Sequence, residues 1–177
     1  MGSKKSDVRL VGLEYLQFAE VRSTGSFPAT AASFSTIGNV VPGTARFVVD
    51  APAKTIIEIE EEDTPDLVIY GSQRKYIEFA LRDMGTQTLI YAFGGAAVTT
   101  AYSFATGTVV NREYAIFAQS KSINGQKLKF EIPRASVEAS GDLKFSKTET
   151  GTLAFTCEVL TPNSSTAISP CVITQAA

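Results

Sequence analysis

The 177-residue chain is predicted to fold as an all-β or mostly-β domain with one short helix, and three observations carry that expectation. Segments with two-residue hydrophobic alternation recur along the chain, turn residues separate them, and long helical patterns are absent. The clearest alternation opens residues 75–95, KYIEFALRDMGTQTLIYAFGG. There Ile77, Phe79 and Leu81 point one way, and Tyr76, Glu78 and Arg82 the other. That is the period of a strand with one face on a core. Asp83 and Gly85 break it, and Leu89, Ile90 and Phe93 then fall at helical spacing. Gly94 and Gly95 supply the left-handed positions that commonly end a helix.

The other elements follow in order. A first strand is expected at 13–18. Residues 22–43 then turn small and polar, rich in Gly, Pro, Ser and Thr, which predicts a long loop. Inside it Phe27, Phe34, Ile37, Val40 and Val41 are apolar, and a solvated linker has no use for them. They are therefore candidates for docking on a neighbouring subunit, beside the plain alternative of a floppy surface loop. Strands are expected at 44–49, 55–61 and 67–70, with turns at Pro52, at Asp63-Thr64-Pro65 and at Gly71-Ser72. Residues 96–110 are weakly patterned, with Tyr102, Phe104, Val109 and Val110 as strand anchors.

The back half is more regular. A strand at 112–122 is followed by Asn124-Gly125, a pair favoured in hairpin turns. Leu128, Phe130 and Ile132 then alternate with Lys127, Lys129 and Glu131. Pro133 has no N–H to give to a ladder, so a bulge or bend is expected there. A strand continues over 134–140, turns at Gly141-Asp142, and alternation returns at 153–159 with Leu153, Phe155, Cys157 and Val159 inward. The stretch 163–177 reads as a flexible tail, mostly small and polar, with Val172 and Ile173 as its adjacent apolar pair. The whole of 1–177 is expected to form one domain, with no internal repeat.

Composition narrows the chemistry. A chain of this size buries roughly 70% of its unfolded surface without help from disulfides or metals. The net charge is -2 and the basic residues are scattered, unlike the concentrated basic face of a phosphate-neutralising nucleic-acid binder. There is no histidine, which removes the usual general base near neutral pH and the commonest zinc ligand. Cys157 and Cys171 read as free thiols rather than a bridge or a metal site. Gly94-Gly95 follow the helix instead of preceding it, so they are caps and not a phosphate cradle. Ser26, Thr30, Ser164 and Ser165 have no base or oxyanion partner in the pattern. Lys127, Lys129, Arg134 and Lys144 are interleaved with Glu131, Glu138 and Asp142, as on a mixed solvated or intersubunit surface. The expectation is a protein without catalytic residues, metal or cofactor. No start resembling a signal peptide and no membrane-spanning run is visible, so assembly in a cytoplasm is expected.

Two stretches together resemble a known family. An alternating strand that ends at an aspartate, one short helix and a glycine pair form the first. A strand, a turn carrying Gly125, LKFEIPRASVE and a last apolar strand ending in LTP form the second. Their order and rhythm over about 44–162 are similar to the major tail tube proteins of long-tailed bacteriophages. The resemblance implies a β-sandwich or small barrel with one flanking helix, which closes into a hexameric ring and stacks into a tube in a virion tail. It implies contacts with itself and with tape-measure and tail-terminator proteins, and DNA that passes through the lumen without specific binding. The tube proteins of bacterial type VI secretion share that fold and ring form and are the alternative. A β-sandwich that binds a ligand or carbohydrate is the rival of another class, and the absence of tryptophan counts against it.

The acidic run Glu58-Ile59-Glu60-Glu61-Glu62-Asp63 takes its meaning from this choice. At strand spacing Ile57 and Ile59 would face a core, which sends Glu58, Glu60 and Glu62 to the other face. On an isolated domain those carboxylates protect a strand end from aggregation. In a ring they would line the lumen and repel DNA. Loop and tail are expected to pack only between subunits, so that deleting 24–39 would leave the isolated domain intact.

Overall fold

The computed structural model describes residues 12–28, 33–57, 67–98, 101–104, 112–122, 125–142, 151–164 and 167–176. It is mostly antiparallel strand with one short helix, as expected. In chain order the elements are β1 (Leu13–Glu20), β2 (Ser35–Thr36), β3 (Arg46–Val49), β4 (Lys54–Ile57), β5 (Leu67–Tyr70), β6 (Lys75–Leu81), α1 (Thr86–Phe93), β7 (Ala96–Val98), β8 (Ala101–Ser103), β9 (Glu113–Ser120), β10 (Lys127–Asp142), β11 (Thr152–Val159) and β12 (Val172–Ala176).

Eight strands form the main sheet in the order β2-β1-β9-β10-β11-β6-β3, with β12 also paired to β10. The sheet curls so that strands distant in this order meet across the interior. Phe18 of β1 lies 6.1 Å from Phe79 of β6, and Phe47 of β3 lies 5.4 Å from Phe130 of β10. Phe79 stacks on Phe155 of β11 at 5.0 Å, and both are buried. The inward residues are those the alternation picked out: Ile77, Phe79 and Leu81 on β6, and Leu153, Phe155 and Cys157 on β11. Cys157 and Cys171 are both free thiols. Helix α1 covers one end of the interior with Thr88, Tyr91 and Ala92, while Leu89 and Phe93 flank them at half-burial. Gly94 stops it at φ 71, donating its N–H to the Ile90 carbonyl at 2.8 Å.

The sheet does not close into a barrel. One segment spans the gap between its two ends instead. The Ile37 N–H donates to the Leu16 carbonyl of β1 at 2.9 Å. Val41 N–H donates to Ala80 of β6 at 2.8 Å, and Arg82 N–H to Asn39 at 3.1 Å. Between those bonds the Ile37 side chain is 5% exposed and belongs to the core. The expectation that the loop 22–43 packs only against a neighbour therefore fails for this part. Its backbone is bonded to β1 and to β6 of its own sheet, which composition cannot reveal.

The bulge at Pro133 is present. Ile132 faces Ile116 of β9, Ala135 faces Tyr114, and one extra residue lies between them on β10. Because that residue reverses parity, inward positions change from Phe130 and Ile132 to Ala135 and Val137. Arg134, thrown outward there, holds Glu113 of β9 through two hydrogen bonds of 2.7 Å and donates to the Thr161 carbonyl at 3.1 Å. These hydrogen bonds hold the Glu113 carboxyl below the ordinary glutamate range. An unfolded glutamate takes up its proton first, near pH 4.3, so this pair stabilises the fold above that pH and ceases to do so as pH falls through the lower folded value. Glu113→Gln is expected to cost about 1 kcal/mol at pH 7 and almost nothing at pH 2. Urea midpoints of both proteins at the two pH values check this, and an equal gap at both would refute the assignment.

Candidate functional site

The feature that the fold leaves unsatisfied is a ribbon. β3 pairs with β6 from Arg46↔Glu78 to Val49↔Lys75, and β4 pairs with β5 from Lys54↔Tyr70 to Ile57↔Leu67. The two ladders share one register. Between them Asp50 N–H donates to the Arg74 carbonyl at 2.9 Å, and Gly71 N–H to the Ala53 carbonyl at 2.7 Å. A single antiparallel ribbon thus begins inside the domain and runs out beyond it. Its base is fastened by Arg74, which makes bonds of 2.9 and 3.4 Å to Glu158 of β11 and stacks over the Tyr76 ring.

Past that base the ribbon is apolar on both faces. Ile57, Leu67 and Ile69 share the parity of the core residues Phe47 and Ile77, while Ile56, Val68 and Tyr70 take the opposite one. Ile57 is 42% exposed and Tyr70 64%, and Ile56, Leu67 and Ile69 are exposed as well. Strands that read as unbroken apolar runs are ordinarily covered on both sides. A lone two-stranded hairpin in water is marginal, and among the described residues this one has no layer packed over its exposed apolar side chains.

This geometry corrects the expectation that Ile57 is a core residue. Beyond Asp50 and Arg74 no second layer lies beneath the ribbon among the described residues, so parity alone no longer implies burial. The premise that set Glu58, Glu60 and Glu62 opposite a buried face fails with it. Those three carboxylates and Ile59 lie outside the described residues.

The five apolar residues of the long loop are placed as follows. Phe27 and Phe34 are half-buried, their rings 5.2 Å apart and 6.4 and 6.2 Å from Phe117 of β9. Ile37 is in the core, Val40 bridges to Leu81 and packs on the core, and Val41 is half-buried. All five lean on their own subunit, and none joins the ribbon surface. Of the basic residues, Lys127 pairs with Glu14 at 2.9 Å and Arg134 with Glu113, while Lys144 lies outside the described residues.

Where the sheet fails to close, a groove of about 640 Å³ opens between β1 and β3, lined by Leu16, Ile37, Val40, Phe47, Ile77 and Phe130 among others. Its wall is largely apolar, and the polar Glu14 and Gln119 beside it are bonded to each other at 2.9 Å. Among the described residues no group of three or more His, Cys, Asp or Glu is placed to hold a metal ion. No described helix is long and apolar enough to cross a membrane.

No protein-family model matches this sequence, and no curated protein does either.

The ribbon was half legible beforehand. Both its strands were expected, but their exposure was not. The signal was the lost alternation of Leu67-Val68-Ile69-Tyr70, which fits two-sided cover better than a strand over one core.

Proposed function

We propose that the protein is a structural subunit that binds copies of itself, closes into rings and stacks into a tube of the bacteriophage tail kind, a conduit for DNA. The observation that carries this reading is the apolar ribbon, which leaves the body with apolar side chains exposed on both faces. Seated against a different surface of a neighbouring copy, the ribbon would make a head-to-tail contact, and such contacts produce rings and filaments. The mostly-β architecture with one short helix is the fold class that this reading requires. A secretion-type tube would use the same surfaces.

The groove favours a second reading, a small-molecule binding module. Two of its polar side chains, Glu14 and Gln119, are already bonded to each other, and the rest of its wall is largely apolar, which suits an apolar ligand better than a sugar.

Light scattering and negative-stain electron microscopy of the purified chain over a wide concentration range test the first reading. Rings or tubes are expected at high concentration. A species that stays monomeric throughout would overturn it.

A further inference from the structure

We propose that β12 is an exchangeable strand, which in the assembled protein docks on β10 of a second copy. The inference rests on the self-association reading and concerns a different surface from the ribbon. The tail had been expected to lack regular structure. Instead Val172–Ala176 forms a ladder with Lys127–Glu131 of β10, pairing Val172 with Glu131, Ile173 with Phe130 and Thr174 with Lys129.

Three features mark this strand as separable. First, past Cys171, which packs against the core, the strand is held mainly by backbone bonds. Val172, Ile173, Thr174 and Gln175 are all exposed, and Ile173, on the same face as the buried Phe130, is still 53% exposed. An edge element with so little buried side chain opens at small cost. Opening it bares the edge of β10, and an unpaired strand edge is a template for another strand.

Second, the connection is far longer than the closed form needs. β11 and β12 lie along the same edge of β10, both opposite β9. The Leu160 N–H is bonded to the Arg134 carbonyl, and β12 begins opposite Glu131. That gap is roughly 10 Å of strand. Residues 161–171 lie between, enough chain to span roughly 36 Å when extended. Pro170 favours an extended backbone just ahead of the strand.

Third, the closed ladder itself names the occupant. Its register shows which five residues fit this edge, and every copy carries them. Exchange rebuilds the same backbone bonds between chains at no loss of ladder. Once the ribbon holds neighbours together, the partner's strand is present at an effective concentration comparable with the chain's own. Exchange also carries the connecting segment, with the exposed Val172 and Ile173, into the contact between copies. That gain is unavailable in the closed form.

Cross-linking decides the matter. In a Cys171→Ser background, chains carrying only Lys129→Cys are co-assembled with chains of different mass carrying only Thr174→Cys, and mildly oxidised. The double variant Lys129→Cys/Thr174→Cys is oxidised in parallel. Cys157 is fully buried, and burial pushes its thiol pKa up, so it stays silent. Exchange predicts a heterologous cross-link between the two single variants and a ladder of covalent oligomers from the double variant. A double variant linked only within its own chain, with no link between the singles, overturns the proposal. Glu131→Cys with Val172→Cys repeats the assay at the other end of the ladder. Light scattering on the same samples separates the two failures. Assembled particles with internal cross-links sink strand exchange alone, whereas persistent monomers sink the self-association reading with it.

Discussion

Replacing Ile57 and Ile69 by threonine is expected to weaken self-association by roughly 10²–10⁴-fold while leaving the subunit folded. Both side chains are exposed on one face of the ribbon in the single chain. Threonine keeps the β-branched shape that suits a strand but removes apolar surface. Covering each isoleucine against a neighbour contributes about 1.5–3 kcal/mol, so two together give about 3–6 kcal/mol. At about 1.4 kcal/mol per tenfold change, that is the range stated. Subunit stability should move by no more than about 0.5 kcal/mol per site, because both side chains are exposed and neither belongs to the core cluster. Sedimentation gives the association constant and urea denaturation the stability. Unchanged association would remove the ribbon from the contact, and a large loss of stability would mean that it packs on its own body.

The second expected result reverses an expectation from the sequence. Deleting 24–39 should destabilise the isolated domain severely, and Ile37→Ala alone should cost about 2–5 kcal/mol. Ile37 is 5% exposed in the core, and its backbone N–H is bonded to Leu16. The deletion also removes β2, Phe27 and Phe34, and with them the aromatic cover of Phe117. Against a total stability of about 5–15 kcal/mol for a domain, the combined loss approaches the whole. Urea midpoints read both variants. A deletion variant that unfolds at the wild-type midpoint would show that this segment is peripheral.

Both results turn on how local pattern meets tertiary context. The alternation on β6, β10 and β11 was legible because each has one face on a single core, and the Pro133 bulge because proline lacks the donor that a ladder needs. The helix and its glycine stop were legible for equally local reasons. Residues 33–43 gave no such signal, since their packing depends on two sheet edges approaching from sequence-distant strands. Strand β12 was missed because four of its five residues are exposed and it is held mainly by backbone pairing to β10, which leaves no hydrophobic period to read.

The sequence by itself determined the mostly-β class, the strand faces, the single helix and the absence of histidine chemistry. These follow from residue type and short-range spacing. Only the tertiary structure decided that the sheet curls without closing, that Ile37 plugs its gap, and that the β3–β6 ribbon runs past its own core. The physical reason is that periodicity states which face of a strand is apolar, whereas burial depends on whether another layer lies over that face. Along this ribbon it ceases to do so at Asp50 and Arg74.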